Sequence, residues 1–176
     1  ALWARLYDGE RAQKVFKASK SDFIAIDGVG EMHYSLIQKS NTQRMAEEVL
    51  EENEKNSIKS IPYTCSTYPH RLKNCIDAPM VLFYDGQSEV LNKGRMLSIV
   101  GTRSATRYGK GFTEDFVEQL VARDVTVVSG LAYGIDACAH RTAMNHGGET
   151  IGVVAHGLDR ISPSPHKGLS EKMKEK

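Results

Sequence analysis

LSIVG at residues 97–101 is the first of three short apolar stretches that each run into a glycine; VTVVSG at 125–130 and IGVVAHG at 151–157 are the others. Segments with helical periodicity separate them. This alternation predicts an α/β fold, a Rossmann-like parallel sheet of the βαβαβ type in which every strand ends in a turn. Ligands of open parallel sheets bind at the carboxyl ends of the strands, so we expect the three turns to line one crevice.

The segments around these strands complete the predicted architecture. The first connecting helix should place Phe112, Phe116, Leu120 and Val121 inward, and the second should run from residue 135 to about 145. An apolar run at 80–84 predicts an edge strand added to the same sheet. Three parallel strands are half of a doubly wound sheet, so we expect an incomplete sheet and a chain that is a fragment.

Residues 1–56 are expected to form a separate helical domain. Helical spacing of apolar residues indicates helices over 10–20 and 42–54. Between them, IDGVG at 26–30 resembles the turn of a helix-hairpin-helix, whose amides can bind a DNA phosphate; the alternative is a tight helix connection that needs glycine. The charged segment 51–59 marks the boundary with a second domain, residues 57–176.

The overall charge is nearly balanced, because 23 Lys and Arg face 22 Asp and Glu for a formal net charge of +1. A nucleic-acid interface would therefore have to be a local basic surface. The sequence contains no apolar run of about 20 residues, which argues against a membrane protein. Three cysteines are few and odd in number, which favours a reduced, cytoplasmic setting.

Phosphate binding is the chemistry that the first two turns suggest. Gly101 permits close backbone approach, Thr102 offers a hydroxyl and an amide, and Arg103 can grip a phosphate with two N–H groups; a surface salt bridge is the alternative for Arg103. The second turn precedes a helix N-terminus, where free amides favour anions. Its candidate residues, with the glycine of the third turn, are Ser129, Gly130, Leu131, Ala132, Gly134 and Gly157.

Further contacts to bases or phosphates are expected from nearby residues. Tyr133 could stack on a base or be a buried aromatic. Local positive charge would come from Arg107, Lys110, His156, Arg160, His166 and Lys167. Asp136 is interpreted as a residue of the helix start and His140 as a packed, locally hydrogen-bonded side chain.

Several other chemistries lack their sequence signals. The phosphate-binding fingerprints G-x-G-x-x-G and G-x-x-x-x-G-K-[ST] are absent, and Ser129 does not lie in a G-x-S-x-G elbow. Neither Cys65, His70 and Cys75 nor Cys138, His140 and His146 have the spacing of a structural zinc site. We therefore expect no metal, no cofactor and no catalytic residue.

A set of motifs in fixed order resembles the DNA-processing protein DprA (Smf) family over roughly residues 58–170. The matching stretches are YPHRL at 68–72, PMVLFYDG at 79–86, IVGTR at 99–103, SGLAYGIDACAH at 129–140, GGETI at 147–151 and GLDR at 157–160. The helical N-terminus resembles the family's sterile-alpha-motif-like domain more loosely. Position 133 holds Tyr where many members carry a basic residue, and Ser162 replaces the usual aromatic of a proline turn.

The resemblance implies an extended Rossmann fold that binds single-stranded DNA in natural transformation, protects the incoming strand and helps to load the RecA recombinase. It implies that Arg103 and the loop 129–134 line a basic phosphate pocket, and that the full-length protein is a homodimer. The alternative is a phosphoribohydrolase-like enzyme that acts on nucleoside monophosphates. Such enzymes carry a P-G-G-x-G-T-x-x-E loop with a catalytic glutamate, and this sequence has no such loop.

Overall fold

The computed structural model of the protein describes residues 12–39 and 41–175. By their internal contacts these residues form two units, which divide between Asn56 and Ser57. In the described residues, the first unit contains helices without strands and the second contains two sheets.

Four helices make up the described part of the first unit: α1 (Ala12–Lys17), α2 (Lys20–Ile24), α3 (Glu31–Lys39) and α4 (Thr42–Lys55). The helix expected over 10–20 is wrong as one element; residues 10 and 11 lie outside the described residues. α1 ends at Lys17, and Ser19 caps α2: its side chain accepts from the Asp22 amide, while the Asp22 carboxylate accepts from the Ser19 amide. This reciprocal capping starts a new helix.

A tight turn joins α2 to α3, as the IDGVG segment predicts. Gly28 adopts a φ of +78°, a left-handed conformation that favours glycine. Phe23, 6% exposed, packs edge-on against Tyr34 with ring centroids 5.5 Å apart. The aromatic pair closes the two helices into a hairpin.

The second unit has nine helices and strands among the described residues, besides single 3-10 turns at Ser88–Asn92 and Ser164–His166. They are β1 (Lys59–Pro62), α5 (His70–Lys73), β2 (Val81–Tyr84), β3 (Met96–Ser98), α6 (Arg107–Val121), β4 (Thr126–Ser129), α7 (Ile135–Asn145), β5 (Thr150–Gly152) and α8 (Lys167–Lys174).

The parallel sheet confirms the predicted fold class. Its strand order is β3-β4-β5, with Leu97 opposite Val127 and Val127 opposite Thr150. Within the part of the chain that the structure describes, β3 and β5 each have one strand edge without a partner. The expected open edge is therefore present.

Helices α6 and α7 pack on one face of this sheet through a core of Val117, Val127, Ala139 and Ala143. Leu120 and Val121 pack against this core, as predicted. The prediction that Phe112 and Phe116 face inward is wrong: they are 61% and 40% exposed, and their rings stack on each other at 6.0 Å. The helix begins at Arg107, capped by Thr106, and the residues it buries are Thr113 and Val117.

The expected edge strand near residues 80–84 belongs to a different sheet. β2 pairs antiparallel with β1, with Ile61 opposite Leu82, and the pairing continues where the Tyr63 amide donates to the Met80 carbonyl. β2 is therefore the partner of β1 and does not belong to the parallel sheet.

The YPHRL motif holds this small sheet to the segment that leads into β3. Tyr68, 1% exposed, donates its hydroxyl to the Pro79 carbonyl at 2.7 Å. The Arg71 guanidinium donates to the carbonyls of Lys93, at 2.9 Å, and Gly94. These contacts give the motif a structural role. Among the described residues, no helix is long and apolar enough to cross a membrane.

Candidate nucleic-acid interface

The carboxylate of Asp136 occupies the place where the first two strand-end turns meet. Asp136 is 3% exposed and lies in the first turn of α7. It accepts hydrogen bonds from the backbone amides of Gly101 at 3.4 Å, Gly130 at 3.2 Å and Ala132 at 3.4 Å. These three amides were expected to be available for a phosphate, and the anion that they hold is the protein's own.

The rest of the second turn is also committed to the fold. Ser129, 4% exposed, donates its hydroxyl to the Ile99 carbonyl at 2.6 Å, which ties the end of β4 to that of β3. Leu131, 2% exposed, has a φ of +59° and packs its side chain against Ala137 and Leu169. The sequence predicts both residues as phosphate contacts, but their burial gives them a structural role.

The loop after β3 is fixed by its contact with the start of α7. The Ile135 amide donates to the Thr102 carbonyl at 3.2 Å. Gly134 has a φ of +79°, and a Cβ there would overlap the Thr102 and Arg103 carbonyls. Only glycine allows the two backbones to approach so closely.

Arg103 is the exposed cation on this fixed loop. It forms no hydrogen bond or ion pair with any residue that the structure describes, so the expected alternative of a surface salt bridge is not seen there. Thr102 is exposed, but its hydroxyl accepts from the Ser104 amide at 3.2 Å. The guanidinium is therefore free to meet an anion in solvent.

Two more cations begin the next helix. Arg107 and Lys110 line a shallow depression on α6 together with Gly111 and Glu114. The first turn of α6 contains no acidic residue, and Thr106 caps only the Gly109 amide, at 3.1 Å. The helix N-terminus adds partial positive charge to that of the side chains.

The predicted residues of the later loops divide into exposed and committed ones. Arg160, Lys167 and Gly157 are exposed. His156 uses both ring nitrogens: Nδ1–H donates to the Gly157 carbonyl at 2.8 Å, and Nε2 accepts from the Ser162 amide at 3.2 Å. These bonds assign His156 to the loop's own structure.

His166 departs further from the expected nucleic-acid contact. It is 3% exposed, and its Nδ1–H donates to the Leu131 carbonyl at 2.8 Å. Its ring meets Tyr133 edge-on with centroids 5.0 Å apart, while Tyr133 remains 46% exposed. His166 therefore packs against the Tyr133 ring, and the rest of that ring remains open to solvent.

His140 is packed and hydrogen-bonded, as the sequence predicts. Its side chain is fully buried, and its Nδ1–H donates to the Thr150 hydroxyl at 2.6 Å; that hydroxyl donates in turn to the Val127 carbonyl at 2.9 Å. Burial lowers the pKa of His140 to about 4, because desolvation opposes the charged ring. The imidazole is neutral at pH 7. No group of three or more His, Cys, Asp or Glu among the described residues could hold a metal ion.

The hairpin turn of the first unit offers little to a phosphate. The Gly30 amide donates to His33 Nδ1 at 3.1 Å, and Glu31 follows directly at the start of α3. The Glu31 carboxylate is paired with Lys20 Nζ at 2.5 Å, so both charged side chains bind each other across the hairpin. The interpretation as a tight helix connection is the one that these contacts favour.

The fold defines an α/β protein with a Rossmann-type parallel sheet, and comparison with known proteins identifies its family. Residues 59–176 match the family model described as DNA recombination-mediator protein A. The chain belongs to this family. The resemblance seen in the sequence motifs is thereby confirmed.

Individual relatives agree with this assignment. The chain is 38% identical over 125 residues to the DNA processing protein DprA of Bacillus subtilis, covering 71% of this chain and 42% of that protein. It is 33% identical over 170 residues to the protein Smf of Synechocystis, covering 93% of this chain and 42% of that protein. The chain thus spans less than half the length of these relatives.

Solved structures match the fold. The crystal structure of DprA from Streptococcus pneumoniae superimposes with a TM-score of 0.72 at 26% identity, covering 93% of this chain and 58% of that one. DprA of Helicobacter pylori, studied for its single-stranded DNA binding mode, matches with a TM-score of 0.56 at 24% identity. That match covers 66% of this chain and 51% of the other.

Proposed function

We propose that this chain binds single-stranded DNA through a basic surface centred on Arg103. The observation that carries the proposal is an exposed guanidinium that pairs with none of the described residues, on a loop that α7 holds in place. Arg107 and Lys110 extend the positive charge along the chain. The single-stranded DNA binding described for the Helicobacter pylori relative supports the same assignment.

The contacts of such a surface suit phosphates more than bases. A guanidinium and backbone amides recognise the nucleic-acid backbone and carry no sequence information. Tyr133, with its partly open face, would add a base-stacking contact that tolerates any base. We therefore infer binding that prefers single strands to duplex and is nearly independent of sequence.

The proposed cellular role follows from the family. We infer that residues 57–176 form the DNA-binding domain, and that residues 1–56 form a separate sterile-alpha-motif-like helical domain. The protein would act in the cytoplasm during natural transformation, as a homodimer in its full-length form, and would help to load a RecA-type recombinase onto the strand. A binding role is favoured over catalysis because Asp136 is already held by three amides and His140 is buried.

A charge-matched pair of variants tests the DNA site. Arg103→Ala should remove a charge-assisted phosphate contact of about 1.5–3 kcal/mol, roughly a ten- to hundredfold loss of affinity for an oligothymidine. Arg123→Ala removes the same charge just after the C-terminal end of α6, which lies roughly 24 Å from Arg107 at 1.5 Å per residue. This variant should bind DNA nearly as the wild type does.

Fluorescence anisotropy at one salt concentration measures both affinities, and thermal melts control for folding. Arg103 buries no apolar side chain, so its variant should melt close to the wild type. Wild-type affinity in a folded Arg103→Ala protein would place the DNA site elsewhere.

A further inference from the structure

We propose that Asp136 is a built-in anion that fills the phosphate position at the strand ends and thereby positions Arg103 for DNA. In open α/β sheets, amides at the carboxyl ends of the strands and at the following helix N-terminus are the usual place for a phosphate. Here the amides of Gly101, Gly130 and Ala132 converge on a carboxylate instead. The part of this inference that concerns DNA rests on the proposed function.

The bonds of Asp136 reach beyond its own helix. An acidic residue in a first turn commonly interacts with the amides of that turn. Asp136 instead bonds to Gly101, 35 residues earlier, and to Gly130, so one side chain joins the loop after β3 to the loop after β4. The carboxylate therefore links the two loops that line the crevice.

Three contacts with the start of α7 hold the loop that carries Arg103, and the bond to Asp136 is one of them. The loop is held at Gly101 by Asp136 and at the Thr102 carbonyl by the Ile135 amide. Gly134 packs directly against the backbone of the same loop. All three anchors belong to residues 134–136, so loss of the carboxylate removes one of three points that fix the guanidinium.

The charge of Asp136 also decides where a DNA phosphate can lie. A second anion at the strand ends would meet a buried carboxylate that already holds the amides of Gly101, Gly130 and Ala132. The phosphate must then bind outside, at Arg103 and the start of α6. Asp136 thus acts as a positioning residue: it excludes a phosphate from the strand ends and leaves Arg103 and the start of α6 as the place where a phosphate binds.

Chemical rescue tests this role directly. Asp136→Ala leaves the three amides facing a space that formate can fill, since formate is a carboxylate without a side chain. We expect a lower melting temperature and about tenfold weaker binding of an oligothymidine. Sodium formate should raise the melting temperature and restore the affinity to within about threefold of the wild type, whereas sodium chloride at equal ionic strength should do neither.

Two further proteins make the result decisive. Asp115→Ala removes an exposed carboxylate from α6 and should show no response to formate. Asp136→Asn keeps the shape but replaces one acceptor oxygen by a donor group, so the amide resonances of Gly101 and Gly130 should shift in its NMR spectrum and DNA affinity should fall.

The DNA-free measurements separate this inference from the proposed function. If Arg103→Ala binds DNA normally but formate still stabilises Asp136→Ala, the DNA site is wrong and the built-in anion stands. The inference is overturned if formate acts no better than chloride on Asp136→Ala. Where that variant does not fold in formate, unchanged Gly101 and Gly130 resonances in Asp136→Asn overturn it instead.

Discussion

The Nδ1 atom of His140 lies 2.6 Å from the hydroxyl oxygen of Thr150, inside the layer between α7 and the sheet. The Thr150 hydroxyl already donates to Val127, so it can only accept from the imidazole. This relationship fixes the neutral tautomer with its proton on Nδ1. It also links the buried ring to the pH dependence of stability.

The free energy of unfolding should fall as the pH is lowered through the range between the unfolded and folded pKa values of His140. The folded value is about 4 and the ordinary value 6.5, so the unfolded chain takes up the proton first. At pH 4 the loss from this residue is about 3 kcal/mol. Urea unfolding at a series of pH values measures it, and His140→Asn should flatten the curve over this range. An equally steep curve in the variant would assign the effect to other groups.

Gly134→Ala should destabilise the protein far more than Gly147→Ala. Both glycines have a φ of +79°, so both variants suffer backbone strain, and the strain is greater at Gly134, where ψ is −120° and lies outside the left-handed helical region. A Cβ at Gly147 meets open space, whereas one at Gly134 overlaps the Thr102 and Arg103 carbonyls. We expect an additional loss of about 2 kcal/mol or more for Gly134→Ala in urea unfolding. Equal losses would show that the close approach has no energetic weight.

Arg103→Lys should recover only part of the DNA affinity that Arg103→Ala loses, because an ammonium group cannot form a two-pronged contact with a phosphate. Arg103→Ala should also reduce the slope of log affinity against log salt by about 0.7, the share of one phosphate on a single strand. Anisotropy titrations at several salt concentrations measure both quantities. Full recovery by lysine would indicate a simple point-charge contact.

Incubation with nucleoside monophosphates should release no free base above background. The carboxylate nearest the strand ends, Asp136, is bonded to three amides, and the neighbouring His140 is fully buried. Chromatography of the reaction mixture detects the base. Release that disappears in Asp136→Asn would favour the phosphoribohydrolase alternative over the binding protein.

The sequence predicts the parallel sheet well because its signals are local. Each predicted strand is a short apolar run that leads to a glycine, and the observed strands Met96–Ser98, Thr126–Ser129 and Thr150–Gly152 overlap these runs but are shorter. Helix α7 begins at Ile135 and ends at Asn145, within the predicted limits. Arg103 follows a strand-end glycine, and the structure leaves it exposed. These features depend on neighbours in the chain.

The errors concern contacts between distant segments. Two apolar stripes run along α6, and only its packing on β4 decides that Val117, and not Phe112, is buried. β2 takes its partner from β1, about 20 residues earlier, which periodicity alone does not specify. Likewise, Asp136 has the sequence signature of an ordinary helix start. Its bond to Gly101 exists only once the sheet has formed.

The edge of β3 that has no strand partner among the described residues has a practical consequence for measurements on this chain. Bare N–H and C=O groups along a strand promote edge-to-edge association, and the exposed rings of Phe112 and Phe116 on α6 are a second surface that favours association. A net charge of only +1 provides little colloidal repulsion. The apparent molar mass from light scattering should therefore rise with protein concentration, and DNA affinities are best measured in dilute solution, where the protein does not associate with itself.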